Sequence, residues 1–130
     1  MKSLLTIILV FTSLSTAACI ISPAQRLAMH TEQVFESSDI VFFGKLERIE
    51  QSNNEQKAYF TVIKVYKGSP KSEVSIINGY TSSCSRAFEN IGTAYYVFAQ
   101  DKLFSTSYKI PETSATFMSL QQAMDLEFKL

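Results

Sequence analysis

The sequence contains few of the residues from which common metal and catalytic sites are built. Its 130 residues include one histidine and two cysteines, too few for the usual four-ligand zinc site. The twelve basic and twelve acidic residues leave no net charge, whereas a nucleic-acid binder needs a surplus of Lys and Arg to neutralise phosphates. We therefore expect no metal of its own, no cofactor and no nucleic-acid partner.

The common catalytic motifs are lacking as well. There is no HExxH, no GxSxG and no glycine-rich loop that would cradle a phosphate. His30 has no local signature that would pair it with a cysteine for nucleophilic catalysis, and it falls on the polar side of a predicted helix. The sequence therefore predicts a protein that is not an enzyme.

The first residues of the chain have the pattern of a secretory signal. Lys2 gives a positive start, Leu4–Phe11 is an apolar run, and a stretch of small residues ends at Ala18. The apolar run is too short to span a bilayer, and it is followed by small residues that a signal peptidase accepts. We predict a signal peptide at residues 1–18 and one mature domain at 19–130, secreted or periplasmic, where disulfides are permitted.

The residues Thr16–Cys19 support an alternative fate for the first cysteine. Thr-Ala-Ala-Cys also fits a loose bacterial lipobox, in which the Cys19 sulfur carries a diacylglycerol, with Thr16 standing where that signal prefers Leu. On this alternative the protein is a lipoprotein of the outer membrane or cell surface that acts as a protein-binding module. Membrane contact is expected only if Cys19 is lipidated.

Two helices are predicted, one near each end of the mature chain. Pro23 precedes apolar residues at spacings of three and four, which predict a helix over Ala24–Glu36. Ser119 and Gln122 have the spacing of a capping box, which predicts a short helix over Leu120–Glu127.

Five segments between these helices have the composition of strands. Gly44 predicts a bulge or tight bend in the first, and Gly68–Pro70 predicts a turn after the second. Short antiparallel strands with such a bend predict a mainly β fold, namely a five-stranded Greek-key OB-fold barrel with one helix before the strands and one short helix after them. We expect the protein to be a monomer. The predicted strands are Ile40–Glu50, Ala58–Lys67, Val74–Ile77, Ala94–Ala99 and Leu103–Ile110.

The two cysteines of an exported chain most simply form one disulfide, Cys19 to Cys84. As the first mature residue, Cys19 would then be held against the loop Tyr80–Ser85. Its α-amine, with an ordinary pKa of about 8, keeps a neutral fraction near pH 7. Together with the first carbonyl oxygen, that amine can bind a zinc ion that has an open position, in a chelate ring. The alternative is a plain stabilising bridge, worth about 4 kcal/mol on the chain-entropy model.

Five segments match, in order along the chain, the motifs of a known family. Cys19–Pro23 (CIISP) resembles an opening Cys-x-Cys-x-Pro, and Phe35–Lys45 resembles a first strand with an aspartate, an apolar pair and a lysine. Val65–Gly68 resembles a Tyr/Phe-Lys-Gly turn, Ser82–Cys84 the loop that holds the first cysteine's partner, and Ser119–Gln122 the start of a closing helix. In these features the chain resembles the N-terminal netrin-like domain of the tissue inhibitors of metalloproteinases.

That resemblance implies an OB-fold barrel whose chain terminus inhibits a zinc metalloprotease. In the family, the amine and carbonyl of the first cysteine chelate the protease's catalytic zinc and displace its attacking water. Carried over, Cys19 chelates the target zinc and Ile20 enters the pocket beside the metal. The rest of the inhibitory ridge is then Ile21, Ser22, Pro23, Thr81, Ser82, Ser83 and Cys84.

The chain departs from the family at several positions. Ile21 stands where the family has its second cysteine, and the partners of the other disulfides are absent. Ile20 replaces a small Thr or Ser, and its bulk gains affinity in a deep pocket but clashes in a shallow one. The resemblance implies a reduced, bacterial relative that lacks the animal proteins' C-terminal domain. On the lipoprotein alternative, the same fold has no inhibitory activity.

Overall fold

A computed structural model describes residues 21–53, 55–79, 87–100 and 115–130. Within them the fold is mainly β: five antiparallel strands form one sheet, with helices before and after. The elements are α1 (Pro23–Met29), α2 (Thr31–Ser37), β1 (Ile40–Ser52), β2 (Glu55–Lys67), β3 (Glu73–Gly79), β4 (Ala94–Ala99), β5 (Thr116–Ser119) and α3 (Leu120–Asp125).

The strands lie in the order β3-β2-β1-β4-β5, so that β1 is the central strand. It pairs with β2 along nearly its whole length and with β4 through Ile40–Lys45. The predicted strands that became β1 to β4 are confirmed, and β2 begins at Glu55, three residues before the predicted start. β1 carries apolar side chains on both faces near its start because both faces of the sheet are covered there.

The fifth strand is not the one that the sequence predicts. The predicted strand Leu103–Ile110 lies outside the described residues and stays a prediction. The fifth described strand is Thr116–Ser119, which pairs with β4 and was not predicted. It is only four residues long and runs directly into the cap of α3, so its alternation is too short to recognise.

The segment predicted as the first helix is confirmed as helical, but the prediction of one continuous helix was wrong, because the segment is divided into α1 and α2. The helix is interrupted at His30, whose backbone N–H donates to the carbonyls of Arg26 and Leu27. The Thr31 hydroxyl donates to the carbonyls of Leu27 and Ala28, at 2.9 and 3.2 Å. It thereby competes for the carbonyls that a continuing helix offers to its own N–H groups. His30 itself is exposed, as predicted.

The predicted cap of the closing helix is confirmed. The Ser119 hydroxyl accepts from the Gln122 backbone N–H at 3.2 Å, and the Gln122 side chain accepts from the Ser119 N–H at 3.0 Å. The helix ends at Asp125, two residues earlier than predicted, because Glu127 adopts a left-handed φ of 52° that no helix continues. The described helices are all short, and none of them is long and apolar enough to cross a bilayer.

The predicted bend in the first strand is confirmed at Gly44. The pairing of β1 with β2 shifts register between Phe43 and Gly44. A Cβ placed on Gly44 would lie 2.9 Å from the Thr61 carbonyl oxygen and 3.0 Å from the Phe42 ring. Only glycine therefore allows the two strands to approach this closely.

Alternating side chains divide the apolar interior into two cores, one on each face of the sheet. Along β4, Tyr95, Val97 and Ala99 face the first core, whereas Phe98 faces the second. Within the second core, residues of α1 and α3 pack against the sheet. The large buried residues of the first core are Phe42, Leu46, Phe60, Ile76 and Phe88, and those of the second are Leu27, Val41, Phe98 and Met118.

Candidate functional site

Most of the predicted inhibitory ridge lies outside the described residues. This holds for Cys19, Ile20, Thr81, Ser82, Ser83 and Cys84, so the disulfide and the chelating amine stay predictions. Ile21, Ser22 and Pro23 are described. The geometry of the site is therefore built from these three residues and from the described chain that follows Cys84.

A capping box holds the chain where it enters α1. The Ser22 hydroxyl accepts from the Gln25 backbone N–H at 3.2 Å, and the Ser22 N–H donates to the Gln25 side chain at 3.1 Å. Pro23 opens the helix with a backbone angle already suited to it. Ala24 and Leu27 are buried in the second core. The residues before Ser22 thus leave from a helix start that is capped and packed.

The side chain of Gln56 holds the described chain that follows Cys84, the last residue of the predicted inhibitory ridge. Gln56 lies on β2 and is only 3% exposed. Its amide nitrogen donates to the Phe88 carbonyl at 3.0 Å, and its amide oxygen accepts from the Phe88 N–H at 2.7 Å. The buried Asn78 of β3 donates to the same oxygen at 3.3 Å. One side chain therefore satisfies both backbone groups of Phe88, as a neighbouring strand would. We call this pair of hydrogen bonds the Gln56 clamp.

The ring of Phe88 anchors the same segment from the other side. It stacks on Phe117 with ring centroids 3.8 Å apart and meets Phe60 and Tyr95 edge-on at 5.1 and 5.3 Å. The Tyr95 hydroxyl also donates to the Glu89 carbonyl. Residues 87–89 are thus fixed both by backbone hydrogen bonds and by an aromatic cluster.

The two anchored segments line one cavity of about 340 Å³, which we call the terminal cavity. Pro23 and Ala24 belong to its wall, and so do Ala87 and Glu89. The start of α3 contributes Gln122 and its neighbours. The cavity therefore places the chain that follows Cys19 and the chain that follows Cys84 at the same end of the molecule.

The electrostatics of the terminal cavity are simple. Among the described residues that line it, Glu89 is the only one with a charge. Burial raises the pKa of the Tyr95 phenol. The hydrogen bond to the Glu89 carbonyl offsets part of this rise, and the negative charge of Glu89 adds a smaller increase. Tyr95 therefore stays a neutral donor at physiological pH. In the described part of the chain, no group of three or more His, Cys, Asp and Glu residues is placed to hold a metal ion.

Comparison with known proteins finds no match, either among protein-family models or among curated proteins. Sequence reasoning missed Gln56, Phe88 and Glu89. A signal for Gln56 exists, because this polar residue occupies an inward position in the alternation that continues with Ala58 and Phe60. Nothing local in the sequence indicates the cavity, since its wall comes from three distant segments.

Proposed function

We propose that the protein is a secreted inhibitor of a zinc metalloprotease, related in mechanism to the tissue inhibitors of metalloproteinases. The observation that carries the proposal is the terminal cavity, which is lined both by Pro23–Ala24 and by Ala87. These residues follow the two predicted parts of the inhibitory ridge. An inhibitor of this kind needs both parts at one end of the molecule.

The chain lengths suit a bridge between the two cysteines. Cys19 lies four residues before Pro23, and Cys84 lies three residues before Ala87. Because Ile21 and Ser22 are already placed, the free reach runs from Ile21 to Cys19 and from Ala87 to Cys84. At about 3.6 Å per extended residue this is roughly 7 Å and 11 Å. Short connections of this length favour a disulfide, whose Cα atoms are about 4.4–6.8 Å apart.

The sheet supports the finer proposal of a Greek-key OB-fold barrel. The order β4-β1-β2-β3 is the one that a Greek key requires, and β1 carries three register shifts against β2, which bend and twist paired strands. Phe60 and Tyr95 have ring centroids 6.3 Å apart although β1 lies between their strands. Two strand spacings in a flat sheet amount to about 9.5 Å, so this approach favours a sheet that curls around the first core.

The proposed mechanism uses the mature chain end as a ligand. With residues 1–18 removed, the Cys19 amine nitrogen and carbonyl oxygen would bind the target's catalytic zinc ion as a chelating pair and exclude the water that would attack a substrate. A disulfide to Cys84 keeps this end in place and lowers the entropy lost on binding. Ile20 then enters the pocket beside the metal.

The state of Cys19 in the exported protein is the first test. Mass spectrometry of the purified mature chain should show a peptide that begins at Cys19, has a free amine and is bridged to Cys84. A diacylglycerol on the Cys19 sulfur, or an acetylated amine, would contradict chelation, and the lipid would instead support the membrane-anchored binding module.

A shift of the chain end by one residue tests the mechanism itself. An alanine added before Cys19 moves the amine away from the metal, so inhibition of a test zinc metalloprotease should be lost while the unfolding midpoint is kept. The matched control carries one extra alanine after Leu130 and should inhibit like the mature protein. Equal inhibition by both forms would show that the terminus does not chelate the zinc.

A further inference from the structure

We propose that the terminal cavity binds a cationic side chain, a lysine or arginine that projects from the target beside its zinc site. The assignment of this side chain to a metalloprotease rests on the proposed function. The capacity of the cavity to bind such a group follows from the described residues alone.

The size of the cavity fits one long side chain. Its volume of about 340 Å³ is roughly ten times the share of one water molecule in the liquid, and it lies at the lower end of the range for ligand pockets. Part of the wall is apolar, with Pro23, Ala24 and Phe117. Long cationic side chains bury their methylene stems along such surfaces while the charged head reaches polar groups.

The charge and acceptors of the wall select a cation. The Glu89 carboxylate is the only charge among the described lining residues, which include neither lysine nor arginine. Their other polar groups include the side chains of Asn90 and Thr93, whose oxygens can accept hydrogen bonds. An anion would meet Glu89 without a compensating positive group, whereas an ammonium or guanidinium pairs with it directly.

The terminal cavity lies beside the predicted inhibitory ridge, so it can form a second contact with the same target. Pro23 belongs both to the predicted inhibitory ridge and to the cavity wall. A protein surface that contacts Pro23 therefore lies beside the cavity wall. The Gln56 clamp and the Phe88 ring hold the Glu89 side of the wall, so little ordering entropy is lost when the cavity is filled.

The direct test is a titration followed by NMR. The mature protein is titrated with the peptide acetyl-Gly-Arg-Gly-amide and, separately, with the same peptide carrying citrulline, which has nearly the shape of arginine but no charge. We expect saturable shifts of the Glu89, Asn90 and Thr93 amide signals with the arginine peptide only, and weaker shifts at high salt. Equal shifts with citrulline, or no saturable shifts, would overturn the proposal.

Two variants locate the binding. Glu89→Gln should weaken the binding of the arginine peptide by about 1.4- to 5-fold, the range expected for loss of one exposed ion pair. It leaves the carbonyl that accepts from Tyr95 in place. Glu36→Gln is the matched control, because Glu36 is exposed on α2 and does not line the cavity. Equal effects of the two variants would mean that the peptide senses net charge rather than this cavity.

Inhibition separates this proposal from the proposed function. The variant with an alanine before Cys19 should still bind the arginine peptide, even though it no longer inhibits. In the mature protein, Glu89→Lys should raise the inhibition constant for a protease at least roughly fivefold, whereas Glu36→Lys leaves it unchanged. Peptide binding without any inhibition would leave the cavity site standing and refute the inhibitor. Inhibition that is insensitive to Glu89→Lys would support the inhibitor and refute the contact between the cavity and the target.

Discussion

Gln56 is the buried polar side chain on which the position of residues 87–89 depends. It makes two hydrogen bonds to Phe88 and accepts a third from Asn78, and all three lie in a part of the sheet without access to water. A buried backbone group that loses its partner costs about 1–3 kcal/mol. Gln56→Met keeps the volume but removes all three bonds and leaves both backbone groups of Phe88 without this partner. It should therefore lower the free energy of unfolding by roughly 2–6 kcal/mol at every pH.

Gln56→Glu turns the same site into a pH-dependent one. The protonated carboxyl can still donate to the Phe88 carbonyl, but the ionised form cannot, and burial raises its pKa in the folded state. The folded state then holds its proton to higher pH than the unfolded state does, so stability falls as pH rises above about 4.3. Urea unfolding should place the variant near wild type at pH 4 and well below it at pH 7. A difference from wild type that is the same at pH 4 and pH 7 would contradict this account of the site.

At the scale of the element, the bend of β1 depends on one glycine. A Cβ on Gly44 would lie 2.9 Å from the backbone oxygen of Thr61, which cannot move without distorting β2. We expect Gly44→Ala to cost about 1–3 kcal/mol of unfolding free energy. Gly79→Ala, in β3, is the matched control, because a Cβ added there would meet no atom of the described residues within 4 Å. Both variants are compared with wild type by thermal melts, in which Gly79→Ala should be neutral or slightly stabilising. Similar losses of stability in the two variants would contradict the steric argument.

The elements also show where sequence patterns suffice and where they fail. β1, β2 and β4 were found because each has a long apolar or β-branched run, and Gly44 revealed its bend. The division of the first helix was missed because apolar spacing continues across His30, whereas the break depends on hydrogen bonds of the Thr31 hydroxyl. The terminal cavity was not predicted, since only the folded sheet brings residues 23–24, 87–93 and 117–122 together.

At the scale of the whole molecule, the two cores share their strands. Val41 and Phe42 are neighbours on β1, yet Phe42 packs in the first core and Val41 packs in the second core. Damage to either core therefore weakens the strand on which the other depends. This arrangement predicts one cooperative unfolding transition for the described fold.

Two core variants test that coupling. Leu27→Ala in the second core and Phe60→Ala in the first should each lower stability by roughly 2–5 kcal/mol. In each variant, circular dichroism and tyrosine fluorescence should report the same midpoint; the chain has no tryptophan to interfere. Ile63→Ala is the control, because Ile63 is 60% exposed and should cost less than about 0.5 kcal/mol. Two separate transitions would mean that the cores unfold independently.

The Gln56 clamp has a consequence for how such a protein can diversify. The stretch 80–86 starts where β3 ends at Gly79 and finishes beside Phe88, and both attachment points are held by β2 through its ladder with β3 and through Gln56. The residues that hold these two points all lie outside the stretch. Changes in this stretch that keep Cys84 can therefore alter the choice of target while these two attachment points are inherited intact.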